Sequence, residues 1–446
     1  MRRVNIAITI VFLAACGGTS AQGNIEPMAT PSPPPNAFVS DTPTVLATAT
    51  RTSILPTETP NLLTGTPHPS PTPRRNTPLE SGTGILLTSI QMFDSQAGWG
   101  FDSDYHILRT SNGGKTWQDI TPPSGHYSSS GFFALDAETA WATVTIGVYS
   151  HPTVVYVWHT RDGGSTWTRS QEVRLDLDEH GEPYSSEFFL PQGMQFIDRQ
   201  TGWLLSVVSY ETDTVGSLFF QTTDGGKTWR TLNSQIGLPD DCIAIGFAFV
   251  DSQTGWAGGN CFTPGLALTP MQSIFDEDAW FLGKTLDGGT SFEELTMVPV
   301  PAALREAGML TARGNCGELR LLPIGDDMIG IEWGCSIFPS LKPEHRFFTF
   351  SSDGGQTWTS WKSTGNEFFL NANHGWRLLS PGELQETTDG GSTWITIKHV
   401  TWEDAQFDFV SELEGWAIAS IGRARILLYS TNGGRTWADL HPLIGP

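Results

Sequence analysis

Asp176, Asp178 and Glu187 occupy positions 1, 3 and 12 of an acidic stretch with Gly181 at position 6. Carboxylates in that order are the oxygen ligands of a calcium loop, and its glycine makes the sharp turn. His180 and Pro183 depart from the pattern, and a solvated acidic loop accounts for the same residues. Calcium is the one cofactor the sequence offers, and otherwise none is expected. There is no His-Glu-x-x-His, no Gly-x-Ser-x-Gly and no Cys-His cluster. The Gly-Lys-Thr at 114–116 and 226–228 mimics the end of a phosphate loop, but the required upstream glycine is Arg109 or Gln221. No residue is assigned as catalytic, and the reading leans away from an enzyme.

The elements around these residues are set by repetition. The segment TTDGGKTW at 222–229 has copies at 110–117, 160–167, 351–358, 387–394 and 430–437, and a worn copy at 285–292 ending in Phe292. Asn112 and Asn432 replace the Asp in the first and last copies. Asp or Asn can accept hydrogen bonds from its own turn, and Gly-Gly supplies positive φ, so each copy reads as a hairpin turn. Its closing Trp is expected to bury a large ring between sheets. Between the copies lies a second element, a strand and turn leading to Gly-Trp, at Trp99, Trp141, Trp203, Trp256, Trp333, Trp376 and Trp416, with Ala140 or Glu332 in place of the Gly in two of them. Seven alternations of the two elements give seven four-stranded units. The expected fold is all-β, a seven-bladed β-propeller of four-stranded antiparallel blades over residues 85–446.

The boxes match the Asp-box, or bacterial neuraminidase repeat, Ser/Thr-x-Asp-x-Gly-x-Thr-Trp. The paired pattern of box and Gly-Trp resembles the photosystem II stability and assembly factor family across nearly all of residues 88–440. That resemblance implies a seven-bladed propeller and, for members in photosynthetic organisms, an assembly chaperone with a basic patch. This chain is acidic instead: 25 Lys and Arg against 47 Asp and Glu give a net charge of −22. Such a balance argues against nucleic acid and against docking on an anionic bilayer. Asp-boxes also occur in sialidases, which need three central arginines. The expected inner strands hold Arg320 alone, so sialidase itself is not expected.

The four cysteines of the propeller region pair by register. Cys242 and Cys261 flank one turn and Cys316 and Cys335 another, each nineteen residues apart, so disulfides 242–261 and 316–335 are expected. Strand 1–2 turns and the boxes are short and share one face. The long segments (168–192, 206–216, 260–278, 293–315 and 336–345) belong to the other, where Tyr149, Tyr184, Tyr210, Phe262 and Phe338 are candidate ligand contacts. The expected function is a non-enzymatic, surface-tethered binding or assembly-scaffold propeller for an unknown protein or glycan, acting as a monomer. The alternative is an extracellular carbohydrate-active propeller, either a glycoside hydrolase or a glycan binder.

The start of the chain gives the address. Arg2 and Arg3, an apolar run and Leu-Ala-Ala-Cys16 read as a lipoprotein signal peptide at 1–15, since spanning a bilayer takes about 20 apolar residues. Residues 16–84 are Pro-, Thr- and Ser-rich and are expected to be a disordered tether of roughly 45 Å as a coil. An exported protein is expected, lipid-anchored to the cell envelope through Cys16 and touching the membrane only there.

Overall fold

The repeat folds into seven sheets, each built of four strands that follow one another in sequence and pair antiparallel, with a fifth strand from the chain's tail added to the first. This computed structural model describes residues 79–123, 131–146, 154–174, 186–210, 215–232, 242–261, 280–298, 314–323, 329–337, 345–351, 357–363, 367–379 and 382–445. No helix occurs among them. Blade 3 shows the unit: Ser186–Phe196, Gly202–Tyr210, Val215–Thr222 and Arg230–Leu232. Its first two strands include residues expected to be loop, because the ladder continues up to the pair Tyr210–Ser186.

Six boxes are described and share one network. In blade 3 the Thr222 hydroxyl accepts from Gly226 N at 2.9 Å, while Asp224 accepts from Thr228 N at 3.0 Å and Thr228 Oγ1 at 2.6 Å. Gly225 and Gly226 hold φ of 78° and 85°, which a side chain would strain. In the first and last boxes Asn does the same, taking Thr116 N and Thr436 N at 2.9 Å each. The first box glycine also donates to the strand 1–2 turn of its own blade, as in Gly225 N to Gln200 O at 2.8 Å, so both turns lie at one end.

These bonds have a pH signature. The Thr166 and Thr393 hydroxyls and amides hold the Asp162 and Asp389 carboxyls below the usual range. At Asp224 and Asp287 burial pushes upward, but bonds from Thr228 and Ser291 outweigh it. A depressed folded pKa stabilises above the unfolded value of about 3.9 and is lost as pH falls through the folded value. A quadruple Asp→Asn variant at 162, 224, 287 and 389 is therefore expected to lose less melting temperature than wild type between about pH 5 and about pH 2.5. Equal acid slopes in a thermal scan would remove this role.

Adjacent blades are clasped by the Gly-Trp indoles. Trp141, Trp203, Trp376 and Trp416 each donate from Nε1 to the carbonyl of the first box glycine of the next blade, at 2.8 to 3.1 Å. In three cases the ring also stacks on a Phe of the next blade's first strand: Trp141 on Phe196 at 3.6 Å, Trp203 on Phe249 at 3.8 Å, and Trp376 on Phe409 at 3.6 Å. The preceding glycine is required by that ring, since a Cβ on Gly202 would sit 2.5 Å from Phe196. Blade 2 keeps the volume by pairing Ala140 with Ala134.

Two expectations change here. Trp117 is the only fully buried box Trp among those described, and Trp167, Trp229, Trp358, Trp394 and Trp437 are half-buried. The deep rings are those of Gly-Trp. Trp333 does not hold the Gly-Trp place of blade 5: Ile329 pairs with Ser351 as Gly202 pairs with Thr222, so that place is Ile329-Gly330. Trp333 lies three residues further on, and its Nε1 donates to Thr349 Oγ1 within its own blade.

The ring is closed by the tail. Leu443–Ile444 adds to the outer edge of blade 1, parallel to Thr116–Asp119. Across the same seam Met92 N donates to an Asp408 carboxylate oxygen and Trp416 Nε1 to Gly113 O. The cysteine register is as expected, with Cys242 opposite Cys261 and Cys316 opposite Cys335, and Cys335 is disulfide-bonded.

Candidate functional site

The end opposite the boxes carries two adjoining pockets at the seam of blades 7 and 1. The larger, of about 400 Å³, lies between the entry to blade 1 (Ile85, Leu86, Leu87), the third strand of blade 7 (Ile426, Leu427) and the tail (Leu443). Its polar rim is Arg425, Asp439 and His441. A volume of that size falls in the ligand-site range, with an apolar body and few polar groups.

The residues around this pocket carry other signs of use. Leu86, Tyr105 and Leu443 are exposed large hydrophobics. Among the described residues only Tyr105 and His441 hold positive φ without being glycine, at 65° and 44°. Tyr105 is forced there by Asp102, whose carboxylate accepts from Asp104 N at 2.9 Å and His106 N at 2.8 Å and meets His106 Nδ1 at 2.6 Å. Ser103 N donates to Leu86 O at 3.2 Å, which places that turn beside the pocket. Backbone held in a sparse region persists where the surroundings impose it, and such positions gather at binding sites.

The smaller pocket, about 80 Å³, is polar and shares Arg425 with the first. Thr88 comes from blade 1, Arg346 from blade 5, and Asp404, Gln406 and Ser420 from blade 7. Arg346 and Arg425 hold equivalent places. Each faces the residue five after the start of its blade's second strand, Gly334 and Ser420. Both line the smaller pocket, and in blade 6, between them in sequence, the corresponding ladder ends one pair earlier, at Leu379–Glu383. The guanidinium of Arg346 is 3.6 Å from the buried Glu332, which is 3.8 Å from Arg320. Burial pushes the Asp404 carboxyl up, against the pull of Arg346 and Arg425. Its Oδ1 is buried without a hydrogen-bond partner.

None of these residues was singled out from sequence except Arg320. Tyr149, Tyr184, Phe262, Phe338, Asp176, Asp178 and Cys16 lie outside the described residues. Tyr210 and Glu187 have described backbones in blade 3, and their side chains lie outside the described set. Among the described residues no group of three or more His, Cys, Asp and Glu side chains could hold a metal ion.

Residues 364–443 match the family of the photosynthesis system II assembly factor YCF48. No curated protein matches the chain. Among solved structures, YCF48 bound to D1 peptide is 17% identical, covering 80% of this chain and 94% of that one with a TM-score of 0.42. YCF48 from Cyanidioschyzon merolae is 14% identical, covering 80% and 98% with a TM-score of 0.39. The GH74 xyloglucanase from Xanthomonas campestris is 12% identical, covering 81% and 68% with a TM-score of 0.37. The seven sheets make the chain a seven-bladed β-propeller, and its residues 364–443, in blades 6 and 7, are similar to the YCF48 family.

Proposed function

We propose that this propeller is a non-enzymatic binding or assembly scaffold that docks a segment of a partner polypeptide at the blade 7–1 seam, on the face opposite the Asp-boxes. It is exported and held at the cell envelope by a lipid on Cys16, with bridges 242–261 and 316–335 stiffening blades 4 and 5. The observation that carries the reading is the apolar seam pocket, with exposed Leu86 and Leu443 in its walls. Aliphatic walls suit a Leu- or Ile-like side chain, whereas a glycan is gripped by aromatic platforms and hydrogen bonds. Arg425 at the junction of the pockets matches an anionic group next to that side chain.

Peptide display on the full chain tests this. The expected result is enrichment of peptides with an aliphatic residue beside a carboxylate, and a loss of roughly tenfold or more in affinity for Leu86→Asp. Leu413→Asp, an exposed leucine at the box end, serves as the control and is expected to bind as wild type. Equal binding by both variants, each shown to be folded, would overturn the seam as the site. A glycan-array signal, or glycosidase activity lost in Asp404→Asn, would favour the carbohydrate-active alternative instead.

A further inference from the structure

The smaller pocket has a chemistry of its own, one that deepens the docking reading and rests on it. In a chain of net charge −22, this cup is lined by two arginines and one aspartate, and both arginines act on the aspartate through their charge. The arrangement comes from the fold. Arg346 and Arg425 stand at equivalent positions in blades 5 and 7 and line the same cup. Thr88, Gln406 and Ser420 supply further neutral hydrogen-bonding groups, and a space of about 80 Å³ holds a group of a few heavy atoms.

We propose that this cup recognises a carboxylate of the ligand, with Arg346 and Arg425 as its donors and Asp404 as the group that sets their availability. Ionised, Asp404 occupies the field of both arginines and repels an incoming anion. Protonated, it releases that field and can donate a hydrogen bond itself. The charged neighbours are few. On the blade 5 side they are Glu332, 3.6 Å from Arg346, and beyond it Arg320. Blade 7 adds Arg425, with Glu403 next in the chain and accepting from Gly422 N at 3.2 Å, and on the adjoining pocket's rim Arg425 is joined by Asp439 and, from the tail, His441. Blade 1 contributes Thr88, which is uncharged. Burial places the Asp404 proton above the usual carboxylate range, which supports the switch but does not define it. Because protonation adds one unit of positive charge to the cup, carboxylate affinity rises as Asp404 takes up its proton. The ligand carboxylate, with its ordinary pKa of about 3.5, stays ionised throughout.

The probe is N-acetyl-L-leucine, which joins an aliphatic side chain to a carboxylate, titrated into the full chain by calorimetry. Wild type is expected to bind progressively tighter in a series from about pH 7.5 down to about pH 4.5, by roughly tenfold over the series. Asp404→Asn is expected to bind tightly at both ends of the series, and Arg425→Gln roughly tenfold or more weakly at both. N-acetyl-L-leucinamide, lacking the charge, separates the two readings. If the amide binds as well as the acid and Leu86→Asp abolishes both, the docking pocket stands and the carboxylate cup falls. Retention of the wild-type pH dependence in Asp404→Asn overturns the switch, and no binding of the acid at millimolar concentration overturns the cup. Glucuronate in parallel identifies the source: binding of the leucine acid alone points to a chain terminus, and binding of both points to any compact carboxylate.

Discussion

Trp203→Ala is expected to destabilise the propeller by about 3–5 kcal/mol, while Trp229→Ala in the same blade costs about 1–2 kcal/mol. Sequence pattern alone favours the opposite ranking, since Trp229 belongs to the better-preserved motif. The packing decides it. Trp203 is fully buried, stacks on Phe249 of the next blade and donates to Gly288 O at 2.8 Å. Removing it opens a cavity at a blade boundary and leaves a buried carbonyl without its donor. Trp229 is half-buried, meets Phe196 edge-on, and its buried indole nitrogen has no hydrogen-bond partner. Trp203→Phe keeps most of the stacking and loses the indole bond, so it should fall between, at about 1–2.5 kcal/mol. Urea unfolding of the three variants checks the order, and a larger loss for Trp229→Ala than for Trp203→Ala would reverse the assignment of which Trp clasps the blades.

That ranking also separates what the sequence could carry from what it could not. The strand units were legible because each box commits the same residue types to one turn: Thr222, Asp224, Gly225, Gly226 and Thr228 all have a bonding or backbone reason to be there. The cysteine register was legible because hairpin geometry makes opposed positions countable. Trp333 misled because a Trp in the sequence does not record its register, and the pair Pro323–Ile329, the counterpart of Phe196–Gly202 in blade 3, sets the level of the motif three residues before it. The candidate site was illegible for another reason. Arg346, Asp404 and Arg425 come from two blades that are not consecutive in sequence, and each is an ordinary residue in its own strand. Tyr105 offered a signal in hindsight: a Tyr in a tight Asp-Ser-Asp-Tyr-His turn must take the left-handed conformation that glycine takes elsewhere, as Gly382 does in blade 6.

Deleting residues 441–446 is expected to cost about 4–8 kcal/mol and to abolish the seam pocket, because no strand is shared between the first and last blades. Apart from the tail strand added to blade 1, every sheet is made of consecutive strands, so closure falls to side chains and to this tail. The deletion removes five backbone hydrogen bonds: Gly82 N to Ile444 O at 2.8 Å, Ile85 N to Pro442 O at 3.0 Å, Leu443 N to Lys115 O at 3.2 Å, Ile444 N to Thr83 O at 2.8 Å and Gly445 N to Trp117 O at 2.7 Å. It also uncovers Leu87 and Trp117, which pack in one cluster with Ile444. Each bond contributes about 1 kcal/mol net and the isoleucine about 2 kcal/mol, with fraying at a terminus lowering the total. Hydrogen exchange gives the sharper readout. Amides of 82–92 and 415–430 should lose protection in the truncated chain, while those of 202–222, on the far side of the ring, keep theirs. Uniform loss across all seven blades would mean that the ring unfolds as one unit and the tail is no local latch. Unchanged protection at 82–92 would mean that Trp416 and Asp408 close it alone. Because the tail is also a wall of the pocket, the same deletion should weaken peptide capture even at temperatures where the ring remains folded.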